Sequence, residues 1–270
     1  MAKKYLLGIF DSGVGGLTVY RCIKSLIPEV PVIYVGDTAR VPYGTKSPKT
    51  VTRYSNEIVY YLLQKNVSMI VMACNTASAT AFTTLKRRYD IPIIDVIRPG
   101  ARLAVRATRS GRIGVIGTRA TINSGAYKRE IQRIKPEIKV FSSPCPLFVP
   151  LVEEGWINTK ITDDIIRLYL HPLLNRNIDT LVLGCTHYPL LKNRIKYIVD
   201  RNIVLVDSAV ATSYEVREHL KGVINSSTQQ GFLPKDRFFV TDDPDNFSRI
   251  SKRFISRIVS AKKISLPAIP

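Results

Sequence analysis

The sequence predicts an α/β protein made of two related α/β units with largely parallel sheets. Three features carry that expectation. Short apolar runs alternate with amphipathic stretches along all 270 residues, which is the rhythm of strand–helix units. Most of the runs are β-branched and apolar on both parities, as in strands covered on both faces. A strand that ends in a cysteine also occurs twice, 111 residues apart, as Met69-Ile-Val-Met-Ala-Cys74-Asn-Thr-Ala and as Leu181-Val-Leu-Gly-Cys185-Thr-His-Tyr.

In chain order, residues 5–10 form the first strand, which runs into Asp11-Ser12-Gly13, and residues 17–26 form an amphipathic helix. A strand at 32–35, a helix at 50–65 and strands at 68–73 and 92–96 complete the first unit. The second has strands at 112–117 and 138–141, a helix at 163–174, and strands at 180–183 and 203–206; a last strand falls at 238–240. The repeat extends past the thiols, for Asp95 follows Cys74 by 21 residues and Asp207 follows Cys185 by 22. The openings match more loosely, as Leu7-Gly-Ile-Phe-Asp-Ser against Ile113-Gly-Val-Ile-Gly-Thr. The expected domains are therefore 1–97 together with 208–270, and 98–207. The segment 208–270 has no counterpart and packs back on the first unit. Reactive groups belong at the carboxyl ends of the strands, where the βα loops gather.

Composition narrows the class. No apolar run reaches the roughly 18–20 residues of a spanning helix, and Met1-Ala-Lys-Lys-Tyr5 is too short ahead of the first glycines for a secretory signal. Four cysteines do not make a disulfide scaffold, and no CxxC or Cys/His spacing suggests a structural metal. A cytoplasmic, reducing compartment is expected. Lys and Arg number 40 against 21 Asp and Glu, a formal charge of +19, which favours an anionic partner. Between residues 98 and 139 lie eleven basic residues and two acids, Glu130 and Glu137. Arg98, Arg102, Arg106 and Arg109 form one stripe of a helix. Such runs ordinarily make a solvated face, and no aromatic interleaving or nucleic-acid module accompanies this one. Nucleic acid is therefore expected only as a secondary, charge-driven contact.

The matched cysteines carry the chemistry. Cys22 and Cys145 read as small buried hydrophobes. Cys74 and Cys185 each leave a strand for a polar turn followed by a helical pattern, so each thiol is expected near a helix N-terminus, which favours a thiolate. Two thiols facing across a cleft can invert a carbon centre: one takes a proton from one face, the other returns a proton to the opposite face. Each needs a neighbour that adjusts its proton affinity. Asp11 can serve Cys74, although it could instead cap a helix. His187 can serve Cys185, assisted by Glu153 or Glu154. Cys185 and His187 alone would suit acyl transfer, but that leaves Cys74 idle. The glycines from Gly8 to Gly16 have neither dinucleotide nor P-loop spacing, so no cofactor is expected.

Gly8-Ile-Phe-Asp11-Ser12-Gly-Val-Gly-Gly, Tyr34-Val-Gly-Asp-Thr-Ala-Arg-Val-Pro-Tyr43-Gly44, Ala73-Cys74-Asn75-Thr76-Ala77 and Gly184-Cys185-Thr186-His187-Tyr188-Pro189 closely resemble the glutamate racemases of the aspartate/glutamate racemase family. The similarity spans about residues 5–257, with four long motifs in order. It implies two pseudo-symmetric α/β domains with the active site between them, and cofactor-independent interconversion of L- and D-glutamate, supplying D-glutamate for bacterial peptidoglycan. By the same resemblance, Cys74 is the base for D-glutamate with Asp11 as its partner, and Cys185 the base for L-glutamate with His187. The family's substrate contacts fall on Asp11, Ser12, Tyr43, Gly44, Asn75, Thr76, Thr186 and His187, with Thr118 and Thr121 on a further polar loop. Its catalytic glutamate falls on Glu153 or Glu154. Homodimers are the family's habit. Aspartate and hydantoin racemases keep two thiols in a similar fold, but the Asp-Ser-Gly-Val-Gly-Gly and Pro-Tyr-Gly motifs favour glutamate.

Overall fold

The computed structural model describes residues 5–224 and 235–269. Residues 1–4, read above as too short for a signal peptide, lie outside the described residues, as do 225–234 and 270 of the last segment.

The described chain begins with β1 (Leu7–Asp11), α1 (Leu17–Leu26), β2 (Val32–Gly36), α2 (Pro48–Gln64), β3 (Met69–Met72), α3 (Asn75–Arg88) and β4 (Ile93–Asp95). It continues through α4 (Ile97–Ala107), β5 (Arg112–Gly117), α5 (Arg119–Asn123), α6 (Ala126–Ile134), β6 (Lys139–Pro144) and α7 (Phe148–Glu154). Next come α8 (Lys160–Leu174), β7 (Thr180–Gly184), α9 (Lys192–Ile198) and β8 (Val204–Asp207). It closes with α10 (Ser208–Ile224), β9 (Arg237–Val240), α11 (Pro244–Ile255) and β10 (Ala261–Lys263).

The strands form two sheets, ordered β10-β9-β2-β1-β3-β4 and β6-β5-β7-β8. Every pairing in both is parallel. Without β9 and β10, the two sheets have the same order, β2-β1-β3-β4 against β6-β5-β7-β8. The repeat of 111 residues is thus a repeat of topology, with each cysteine placed just past the strand that pairs with the opening strand of its sheet. β1, β3 and β7 are buried along their whole length, which explains why their sequences carry no polar alternation.

The matched aspartates have a structural task. Asp95 Oδ1 accepts the backbone N–H groups of Ile97 (2.7 Å) and Arg98 (2.9 Å) at the start of α4. Asp207 Oδ1 accepts the N–H of Ala209 (2.9 Å) at the start of α10. Each carboxylate ends its sheet's last repeated strand and starts the helix beyond it. Those two helices pack on one another, and α10 also packs on α1. The chain then returns to the first sheet, where β9 pairs with β2.

The nine strands read from the sequence are all present, with ends displaced by at most three residues. β10 was not among them, because Ala261-Lys262-Lys263 has no apolar run and owes its conformation to pairing with β9 at the sheet edge. α2 starts earlier than the apolar pattern does, since Ser47 accepts the Thr50 N–H and Pro48 occupies the first turn. Thr159 likewise starts α8 by accepting the Thr162 N–H. Among the described residues, no helix is long and apolar enough to cross a membrane.

Replacing Asp95 removes two backbone caps and the partner of the Arg98 guanidinium, 2.8 Å away. Asp95→Ala is expected to lower unfolding stability by about 2–3 kcal/mol, with Asp95→Asn costing less because the amide oxygen still caps. Urea denaturation followed by circular dichroism measures the difference.

Candidate active site

Both thiols open into one cleft of about 330 Å³. Cys74 is the residue that caps α3: the Ala77 N–H donates to its sulfur at 3.5 Å, and its S–H donates to Ser12 Oγ at 3.7 Å. Burial, then the charge of Asp11, pushes the Cys74 thiol up to about 12, against the pull of the Ala77 N–H and Ser12. Cys74 therefore holds its proton at neutral pH.

Asp11 lies wholly buried behind this wall and does not line the cleft. Its Oδ2 accepts the Gly13 N–H at 3.0 Å, turning the chain just past β1. Its Oδ1 has no hydrogen-bond partner among the described residues. Burial raises its carboxyl above the usual range, opposed first by the charge of His187. The N-cap of α1 is Gly16, and its backbone N–H favours the Asp11 carboxylate, so Asp11 also supports the start of that helix.

The opposite wall is built differently. Cys185 follows β7, and its sulfur is 3.9 Å from His187 Nδ1. His187 Nε2 is 2.8 Å from Glu153 Oε1. Burial alone would push the imidazole down, but the hydrogen bonds and charges of Cys185 and Glu153 prevail and raise it to about 10. At neutral pH, His187 is an imidazolium between a carboxylate and a sulfur. The expected helix N-terminus after Cys185 is a 3₁₀ one: His187 caps a turn at Tyr188–Leu191 with Pro189 in its first positions, and this runs directly into α9 at Lys192. The His187 ring lies beside this thiol at the start of that turn.

The two glutamates separate cleanly. Glu153 lies on the side of α7 that faces His187 and lines the cleft. Glu154, a helical step of about 100° further round, is exposed to solvent and does not line the cleft. Of the other anticipated contacts, Ser12, Tyr43, Gly44, Asn75, Thr76, Thr118 and Thr186 line the cleft. Thr121 does not; buried behind the wall, it is 3.2 Å from Thr76 Oγ1 and 3.0 Å from Thr118 Oγ1. Gly13, Val41, Pro42, Val149 and Pro150 line the cleft as well and were not anticipated. The first three stand inside the quoted motifs, whereas Val149 and Pro150 are ordinary apolar residues with no signal of their own.

A larger hollow of about 530 Å³ lies between α1 and Lys235–Asp236. It contains no thiol or histidine, and its Asp236 is engaged by Tyr20, Lys24 and the Val32 N–H. Among the described residues, no group of three or more His, Cys, Asp and Glu side chains is placed to hold a metal ion.

Paired parallel α/β units with one thiol each on a shared cleft define a class, the amino-acid racemases. The family model described as Asp/Glu/Hydantoin racemase matches residues 8–214, and the chain belongs to that family. Within it, the chain is similar to glutamate racemases. The glutamate racemase of Geobacter metallireducens is 49% identical, over 97% of each chain. The structure of glutamate racemase isoform RacE1 from Bacillus anthracis superimposes with a TM-score of 0.93 at 37% identity, covering 99% of this chain and 100% of that one. Glutamate racemase from Francisella tularensis in complex with D-glutamate gives 0.90 at 37% identity, covering 97% and 98%.

Glu153→Gln keeps the shape of the hydrogen bond but removes the charge that supports the imidazolium. The His187 midpoint is then expected to fall by about one unit or more, so the alkaline loss of racemisation moves to lower pH. Glu154→Gln should leave the profile in place. Imidazole NMR titration and pH–rate profiles of both variants read this directly.

Proposed function

We propose that this chain is a glutamate racemase that moves protons between two thiols and the two faces of the substrate Cα, without a cofactor. The observation that carries the reading is that each of two topologically equivalent units contributes a cysteine, at the same strand end, to one cleft. Starting from L-glutamate, the Cys185 thiolate, held beside the His187 imidazolium, takes the Cα proton. The Cys74 thiol, kept protonated by burial and by Asp11, gives its proton to the opposite face. The product is D-glutamate, leaving Cys185 as thiol and Cys74 as thiolate, the state that runs the reverse reaction. Atoms and charge balance, and no electron is transferred.

The asymmetry of the walls fits this division. Glu153 and His187 supply a fixed charge pair on one side, and Ser12 and the Ala77 N–H supply neutral donors to the thiolate on the other. The carbanion formed at Cα needs its flanking carboxylate held by donors in a place shielded from water. Asn75, Thr76, Thr118 and Thr186 provide amide and hydroxyl groups there. In this reading the domains are 1–97 with 208–270, and 98–207, the enzyme is a cytoplasmic homodimer, and its D-glutamate serves peptidoglycan synthesis.

Nucleic acid remains a secondary, charge-driven contact in this reading, because half of the basic stripe is engaged internally. Arg98 bonds Asp95 and Glu130, and Arg102 bonds Glu215, while the guanidinium groups of Arg106 and Arg109 form no ion pair among the described residues.

Cys74→Ser and Cys185→Ser are each expected to slow racemisation by about 10²–10⁴-fold. In D2O, Cys74→Ser should still exchange the Cα proton of L-glutamate, and Cys185→Ser that of D-glutamate. Circular dichroism follows the first and proton NMR the second; wild-type racemisation in either variant would sink the two-thiol reading.

A further inference from the structure

Asn75 is the first residue of α3, directly after Cys74, and its side chain lines the cleft. A buried carboxamide has two ends, and which end faces a substrate carboxylate decides between attraction and repulsion. Its Oδ1 accepts a hydrogen bond from the Tyr127 hydroxyl at 2.7 Å. Its Nδ2 is buried and has no partner among the described residues.

Tyr127 comes from the other unit, on α6, and is itself only 3% exposed. Its ring sits in a socket left open by two glycines. A Cβ on Gly184 would approach the ring at 3.0 Å, and one on Gly100 would come within 3.4 Å of the phenol oxygen. Gly184 directly precedes Cys185, so the ring lies against the strand end that carries the second thiol. Burial raises the phenol's proton affinity, so the O–H stays intact and needs an acceptor.

With Oδ1 toward Tyr127, the phenol proton is satisfied and Nδ2 is left as a buried donor. Turned over, the amide would have to donate to the phenol oxygen, with the hydroxyl's hydrogen directed to Ser208 instead, and would present carbonyl lone pairs to an anion. An unmade bond to a buried donor costs more than a made one gains. We propose that Tyr127 is a positioning residue: it fixes the Asn75 amide with its N–H2 toward the cleft, as a donor for a substrate carboxylate. The first unit's donor is therefore set by a side chain of the second, and becomes fully directed only where the two units meet.

The inference rests on the glutamate racemase reading above, and the test separates the two. Steady-state kinetics are measured in both directions for Tyr127→Phe, Asn75→Ala, the double variant and Asn75→Asp, with thermal melts alongside. Asn75→Ala is expected to raise KM about tenfold or more, the loss of a hydrogen bond to a charge. Tyr127→Phe is expected to raise KM about three- to tenfold in both directions, with kcat falling less than KM rises. In the Asn75→Ala background, Tyr127→Phe should add less than about twofold, since the residue it acts through is gone.

Asn75→Asp tests orientation without altering Tyr127. It keeps an acceptor for the phenol but turns an oxygen toward the substrate, and is expected to abolish measurable binding. A silent Asn75→Ala would remove Asn75 as a substrate contact, and this inference with it. An impaired Asn75→Ala with a silent Tyr127→Phe, or with fully multiplicative effects in the double variant, overturns the Tyr127 assignment alone. So does an Asn75→Asp enzyme with wild-type KM.

Discussion

The site depends on how closely the turn after β1 approaches the strand end that carries Cys185. A side chain at Gly15 would run into Thr186 and the His187 ring. The next turn adds a hydrogen bond across the same seam, from Thr18 Oγ1 to the Thr186 carbonyl at 3.0 Å. Gly15 is required for space and not for an unusual backbone angle. This seam fixes the distance between the two units where their reactive ends meet. Bonds from Thr76 to Thr118 and Thr121, and from Tyr127 to Asn75, join the units on the other side of the same cleft.

Symmetry of fold and asymmetry of charge then work together. Equivalent topology brings each cysteine to an equivalent strand end, which suits a substrate whose two enantiomers differ only in the face that bears the proton. Proton inventories on the two walls cannot be equal, because one thiol must give while the other takes. Burial and Asp11 hold the proton on Cys74, whereas the His187 ring stands between Glu153 and Cys185 on the opposite wall. The aromatic edge of Phe254, with centroids 5.4 Å apart and planes at 90° to the His187 ring, helps to confine that ring to one orientation.

Much of this was legible in the sequence because the signals were local. The strand before Cys74 is a continuous apolar run, and such a run in a parallel sheet ends where loops gather. The recurrence of Asp95 and Asp207 at matched offsets also has a plain local cause, since each starts the following helix. Other features escaped for physical reasons. Glu153 and Glu154 are neighbours in sequence, and only the rotation of α7 about its axis sends one toward His187 and the other to solvent. Thr121 and Asp11 lie behind the cleft wall, at a depth that no spacing rule encodes. Val149 and Pro150 look like any apolar pair until α7 is set against the first unit.

By itself, the sequence determined the two-unit α/β architecture, the pair of matched thiols and the polar turns that surround them. Each follows from patterns within a few residues: apolar parity, strand-ending cysteines and short hydrogen-bonding side chains after them. Only the tertiary structure decided which glutamate supports His187, that the His187 ring stands between Glu153 and Cys185, and how the Asn75 amide is turned. Those three depend on distances between elements far apart in the chain, and such distances are set by packing across the seam between the units.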